Sequence, residues 1–159
     1  MARGIALRQL AMAPRSRAQL AEKMAAKDVP ESVVLDVLDR FEEVGLLDDK
    51  AFAEGFVHAR QGNRGRRALA QELRRKGIDD DTAEEALEVV DDESEEVAAR
   101  ALLQRPVVAT RGVDRAKRQR RLVGLLARRG FSPGLVVRVV RDELGLDAAI
   151  DDAETDPDE

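Results

Sequence analysis

The sequence predicts an all-α protein, an elongated array of three tandem three-helix repeats, and three observations predict it. Ala, Leu, Glu and Arg, all strong helix formers, dominate the composition. Across the 159 residues, 37% are charged, Trp and Tyr are absent and Phe numbers four. Leu, Val and Ala must therefore fill thin layers between helices, because the aromatics that supply much of a thick core are scarce. No stretch sustains the apolar/polar alternation of a half-buried strand. Finally, one segment occurs three times without a gap, at residues 20–41, 69–90 and 122–143, and internal repeats of this length mark stacked helical units.

The first repeat is placed at residues 1–48. A helix near 5–12 precedes a middle helix, which Ser16 and Gln19 open at the spacing of a capping box. Leu20 and Met24 line one face of it. A base, Lys27, then Asp28 and the apolar Val29 make the turn, and Val33, Val34, Val37, Leu38 and Phe41 form the stripe of a third helix. The second repeat, 49–91, begins with a helix near 50–61, where Phe52 and Phe56 stand one turn apart on one face. Leu69 and Leu73 follow, then Lys76, Gly77 and Ile78, then the stripe Thr82, Ala83, Ala86, Leu87 and Val90. The third repeat, 92–146, opens with a helix near 94–104, and Arg105, Pro106 and the residues to Thr110 read as a link. Leu122 and Leu126 are the middle-helix positions, Arg129, Gly130 and Phe131 the turn, and Leu135, Val136, Val139 and Val140 the final stripe. Ser132 before Pro133 is a cap followed by proline at the first helical position. Gly77 and Gly130 can adopt the left-handed conformation that closes a helix; Asp28, at the same place, is expected to turn less comfortably. Residues 147–159 carry seven acids and are expected to form an acidic, disordered tail.

Net charge is −5, but the charge is segregated. Residues 60–76 hold seven bases and one acid, residues 111–141 ten bases and one acid, and residues 79–96 eleven acids and no base. Blocks of this kind make electrostatic faces for a charged partner. The candidate partner-binding residues are Arg60, Arg64, Arg66, Arg67, Arg74, Arg75 and Lys76 in repeat two. Repeat three adds Arg115, Lys117, Arg118, Arg120, Arg121, Arg128 and Arg129. Arginine pairs bidentately with carboxylate and phosphate alike, so an acidic protein surface and a DNA backbone are both open as targets. The plain alternative is that these bases face solvent or pair with the neighbouring acidic helices.

Catalytic and metal chemistry find little support. Cysteine is absent and His58 is the sole histidine, so neither a disulfide nor a common zinc site can be assembled. No phosphate loop, dinucleotide fingerprint or nucleophile elbow occurs. The runs Asp79-Asp80-Asp81 and Asp91-Asp92-Glu93 lack the spacing and glycine of a calcium loop and suit helix N-termini better. Phe41, Phe52, Phe56 and Phe131 are expected in the core and His58 at a helix surface. No apolar run approaches the roughly 18 residues of a membrane span, and neither a secretory signal nor a coiled-coil heptad pattern is present. The expectation is a soluble, cytoplasmic, monomeric protein without metal or cofactor.

Three phrases in order carry a family resemblance. Residues 43–49 read EVGLLDD and are followed by Phe52 and Ala53; residues 71–78 read QELRRKGI; residues 120–131 read RRLVGLLARRGF. Set inside three three-helix repeats, they resemble the RecX family, over roughly residues 6–144. Asp28 in place of glycine and the 105–110 segment depart from the family pattern. The resemblance implies a regulator, not an enzyme: a protein that binds the RecA recombinase and its filament on single-stranded DNA. Such a protein restrains filament growth and dampens the ATPase, strand exchange and LexA co-cleavage, with at most weak non-specific DNA contact of its own. The competing reading is a helical module that binds DNA directly without RecA, for which the net negative charge is unfavourable. A purely structural scaffold is the third.

Overall fold

The structure, a computed structural model, describes residues 1–154 and is helical, with no strand among them. The helices are α1 (Ala2–Met12), α2 (Arg17–Ala25), α3 (Glu31–Glu43), α4 (Asp49–Arg60), α5 (Arg66–Arg75), α6 (Asp80–Ala86, continued by a 3-10 turn at Leu87–Val89), α7 (Asp92–Ala109), α8 (Arg115–Arg128) and α9 (Pro133–Glu154).

Local chemistry fixes the helix starts. Ser16 and Gln19 form the capping box of α2, which satisfies two of the backbone donors a helix start leaves open. Asp79, Asp91 and Asp114 each accept a backbone N–H three residues on, from Thr82, Ser94 and Lys117. The ends of the middle helices share one pattern. Val29, Ile78 and Phe131 donate back to Met24, Leu73 and Leu126, while Asp28, Gly77 and Gly130 donate to Ala25, Arg74 and Ala127. These paired bonds form the Schellman closure, and all three pivots have positive φ: 59° at Asp28, 80° at Gly77 and 90° at Gly130.

The helices fall into two compact units. One comprises Met1–Ala59 with Ala70–Glu88; the other comprises Arg60–Leu69 with the residues from Val89 on. In the first, α1, α2 and α3 pack around Ile5, Ala6, Leu20, Met24, Val34, Leu38, Phe41 and Leu47. In the second, α7, α8 and α9 enclose Ala99, Leu103, Leu122, Leu126, Phe131, Val136, Val139 and Val140. Each core holds one phenylalanine, and the rest are aliphatic apart from Met24; each large side chain so buried contributes about 1.5–3 kcal/mol. Phe41, Phe56 and Phe131 are buried, Phe52 is half-buried and His58 exposed.

Two expectations are corrected. The 105–110 segment is not a link: α7 continues through Pro106 to Ala109. Proline inside a helix forfeits one backbone bond, but here it sits in the last turn, Val107 is buried behind it, and Thr110 closes the end. Its N–H and Oγ1 both reach the Pro106 carbonyl, at 3.0 and 2.7 Å. Nor are residues 147–154 a disordered tail. Helix α9 runs to Glu154, and Asp147, expected to open a tail, is buried because two arginines hold it. Residues 155–159 of the expected tail lie outside the described residues.

Candidate partner-binding surface

The basic candidates concentrate on α5 and α8, each amphipathic with one leucine face inward (Leu69 and Leu73; Leu122 and Leu126) and arginines elsewhere. The structure sorts them by what they already touch. Arg66 is half-buried: its guanidinium donates to the Val90 carbonyl at 3.1 Å and its N–H to the Glu95 carboxylate at 3.4 Å. Burial raises the Glu95 carboxyl above its ordinary range, against the lowering effect of that bond. Lys76 lies over the Phe56 ring, 5.5 Å from its centre, and its carbonyl accepts from Ser16 Oγ at 2.5 Å. Arg129 reaches the Asn63 carbonyl at 3.4 Å. Arg60, the last residue of α4, and Arg64, on the stretch leading into α5, are half-buried.

Arg118 is the most committed of the set. It donates through Nε to Thr110 Oγ1 at 3.0 Å and through Nη2 to the Val107 carbonyl and to Asp147, the latter at 2.8 Å. Arg111 meets the other oxygen of Asp147, at 2.9 Å through Nε. Two arginines on one carboxylate hold the Asp147 carboxyl below its ordinary range. A second network joins α7 to α9, with Arg100 bonded to Glu96, Asp142 and Glu143 at 2.6, 3.2 and 3.0 Å; these acids raise its already high pKa.

The remaining candidates point outward. Arg67, Arg75, Arg115, Lys117, Arg120, Arg121 and Arg128 are exposed, and Arg74 is exposed with a long 3.7 Å contact to Asp80. They give each of α5 and α8 a basic outer face. The two networks were missed from the sequence, although a signal existed. Glu143 and Asp147 lie four residues apart, one helical turn, so continuing the period of the final stripe past residue 144 would have put both on one face. Arg141 was also passed over; it lines a cleft of about 460 Å³ with Arg115, Arg118 and Leu144. Among the described residues no group of three acids or histidines could hold a metal ion, and no helix is long and apolar enough to cross a membrane.

Comparison with known proteins adds a family. The model described as RecX, first three-helix domain, matches residues 2–41, and that described as RecX, second three-helix domain, matches residues 48–87. The regulatory protein RecX of Thermobifida fusca is 50% identical over 145 residues, covering 90% of this chain and 78% of its own length. That of Streptomyces coelicolor is 51% identical over 145 residues, covering 90% and 77%. The crystal structure of RecX from Lactobacillus salivarius superposes with a TM-score of 0.79 over 91% of this chain and 95% of its own, at 24% identity, a likeness of fold.

Proposed function

Because the chain belongs to the RecX family of regulatory proteins, we propose that it regulates the RecA recombinase by binding it and its filament on single-stranded DNA, in the cytoplasm and as a monomer. Bound there, it restrains filament growth and thereby lowers the ATPase, strand exchange and LexA co-cleavage that depend on the filament. The observation that carries this reading is the 50% identity to a regulatory protein RecX across 90% of the chain.

The contact is assigned to the outward bases of α5 and α8: Arg67, Arg74 and Arg75 on one, Lys117, Arg120, Arg121 and Arg128 on the other. A single exposed ion pair is worth only about 0–1 kcal/mol, so the effect must come from the cluster, and contacts repeated along a filament add through effective concentration. Arg66 and Arg118 are not assigned to the partner, since their bonds within the protein are already made. The role is regulatory rather than catalytic.

The test is the single-stranded-DNA-dependent ATPase of the host RecA titrated with this protein. Inhibition well below one molecule per RecA is expected, and Arg67→Glu with Arg74→Glu and Arg75→Glu should abolish it while helix content by circular dichroism is unchanged. If RecA turns over normally in excess protein, the recombinase is not the partner. DNA affinity across a salt series then decides for direct binding, which falls steeply as salt rises.

A further inference from the structure

The N-terminus of each middle helix has a counterpart in the other repeats. In repeats one and two that place receives the following repeat. Ser16 Oγ donates to the Lys76 carbonyl at 2.5 Å and the Gly65 N–H donates to the Arg129 carbonyl at 2.7 Å. In both, therefore, a helix C-terminus with its open carbonyls is accepted. In both, the first backbone N–H of the helix, at Arg17 and Arg66, also takes a carboxylate from the following repeat, Asp49 at 2.8 Å and Glu95 at 3.4 Å. The surface is thus built to hold a helix end together with a carboxylate.

In repeat three the aligned residues, Arg118 for Ser16 and Gly65 and Gln119 for Arg17 and Arg66, lie one turn inside α8, which starts at Arg115 behind the Asp114 cap. The Arg118 N–H is bonded to the Asp114 carbonyl at 2.8 Å, so side chains rather than open backbone N–H groups line this place. What stands there is the open cleft of about 460 Å³ between α8 and α9, with Val113, Leu144 and Ala148 as its apolar part and Arg115, Arg118 and Arg141 as its charge. The polarity of its wall is reversed. In repeat one, Arg17 pairs with Asp39 and Glu42, each at 2.9 Å; the aligned residues in repeat three are Arg141 and Leu144. The adjacent acids are already engaged: Asp147 by Arg111 and Arg118, Asp142 by Arg100, Asp114 as the cap of α8. Among the described residues Arg115 and Arg141 have no acid partner, so both bring positive charge to the cleft over its apolar floor.

The geometry points to this cleft as a docking site for an acidic helix C-terminus of another protein. The carbonyls of a helix end and its acidic side chains both suit guanidinium donors, and Leu144 with Val113 and Ala148 suits an apolar side chain of the same turn. A second copy of this chain also carries acidic helix ends, Glu42 and Glu43 on α3 and Asp151, Asp152 and Glu154 on α9, so self-association is measured as a separate outcome. A nucleic acid backbone offers nothing for the apolar floor. The inference stands apart from the recombinase reading, since it concerns the chemistry of the occupant and not its identity.

The experiment uses the full chain, isotopically labelled for amide spectra, and as probe a fluorescein-labelled helix-forming peptide of Glu, Ala and Leu with a free C-terminal carboxylate. The peptide should shift the amides of Gln119, Gly145 and Ala148 and bind saturably. Arg115→Gln with Arg141→Gln should weaken it about tenfold or more, the scale of a lost hot-spot contact, and each single substitution should weaken it in part, whereas Arg105→Gln, the loss of one charge on α7, should not. Tighter binding of an oligothymidylate at the same amides would overturn the assignment in favour of phosphate. Self-association lost in the double variant would overturn it in favour of a second copy, and absence of shifts at millimolar peptide would overturn it altogether.

Discussion

The middle helices of repeats one, two and three end on the same pair of backbone bonds and the same left-handed pivot, yet only two of the three pivots are glycine. Asp28 makes the turn with φ 59° and its side chain in solvent. At Gly77 a Cβ would stand 2.2 Å from the Ala18 methyl, and at Gly130 2.3 Å from the Ala68 methyl and 2.4 Å from the Ala68 nitrogen. The difference teaches that conformation alone does not require glycine here; an aspartate manages it. Glycine is required where another repeat's middle helix comes down on the turn. Gly65 carries the same lesson from the other side, since its Cβ would stand 2.4 Å from the Gly130 carbonyl group.

The largest effect should come from breaking that close approach. Gly130→Ala adds the left-handed penalty of about 1–2 kcal/mol to an overpacking cost of about 1–3 kcal/mol, and we expect a loss of about 3 kcal/mol in urea unfolding. Gly77→Ala should cost somewhat less, because only the Ala18 methyl stands in the way. The two sites separate in a double-mutant cycle. Ala18→Gly should couple favourably to Gly77→Ala by about 1 kcal/mol. Ala68→Gly should couple more weakly to Gly130→Ala, since the Ala68 backbone nitrogen remains. Absence of coupling at both sites would mean that strain at the pivot, not contact, sets the cost.

The middle-sized effect belongs to repeat three alone, where Arg118 occupies the position that is Ser16 or Gly65 elsewhere. Asp147→Asn leaves Arg118 and Arg111 without their counter-charge and should cost about 2 kcal/mol at neutral pH, below the range for a fully buried pair because Arg111 is half-exposed. The sign with pH follows from the depressed folded-state pKa of Asp147. Its stabilisation is present above the unfolded-state value of about 3.9 and is lost as pH falls through the lower folded-state value. The gap in Tm between the native protein and the variant should therefore narrow on acidification; a gap that stays constant to pH 2 would show the cost to be steric.

Most of the fold was legible because its determinants are local: the stripes Val33 to Phe41 and Leu135 to Val140, the capping pair Ser16–Gln19, the glycines at 77 and 130. What was missed depends on contacts made across the repeat. Pro106 reads as a helix breaker, and nothing in its neighbours announces that Thr110 and Arg118 will close the turn it sits in. Asp147 reads as the first of many acids until Arg111 and Arg118 are brought around it. In the candidate surface, the sequence located the basic helices but could not separate Arg66 and Arg118, held by carbonyls and carboxylates within the protein, from Arg67 and Arg120, which face outward.

The smallest effect tests the free turn. If contact is what demands glycine at 77 and 130, then Asp28→Gly loses no packing and removes only two modest burdens. One is a left-handed pivot that aspartate tolerates better than most residues; the other is a negative charge beside the C-terminus of α2, where the helix dipole disfavours it. Against this stands the backbone entropy that glycine surrenders on folding. The balance should be a gain of about 0.5 kcal/mol in urea unfolding. Asp28→Asn divides the two burdens, since it keeps a residue suited to positive φ and removes only the charge; it should give about 0.3 kcal/mol, shrinking as salt screens the dipole. A gain in Asp28→Asn equal to that in Asp28→Gly would assign the whole effect to charge. A loss in Asp28→Gly would mean that the aspartate side chain makes a contact that holds the turn, and the contrast with Gly77 and Gly130 would then rest on more than the approach of a neighbouring helix.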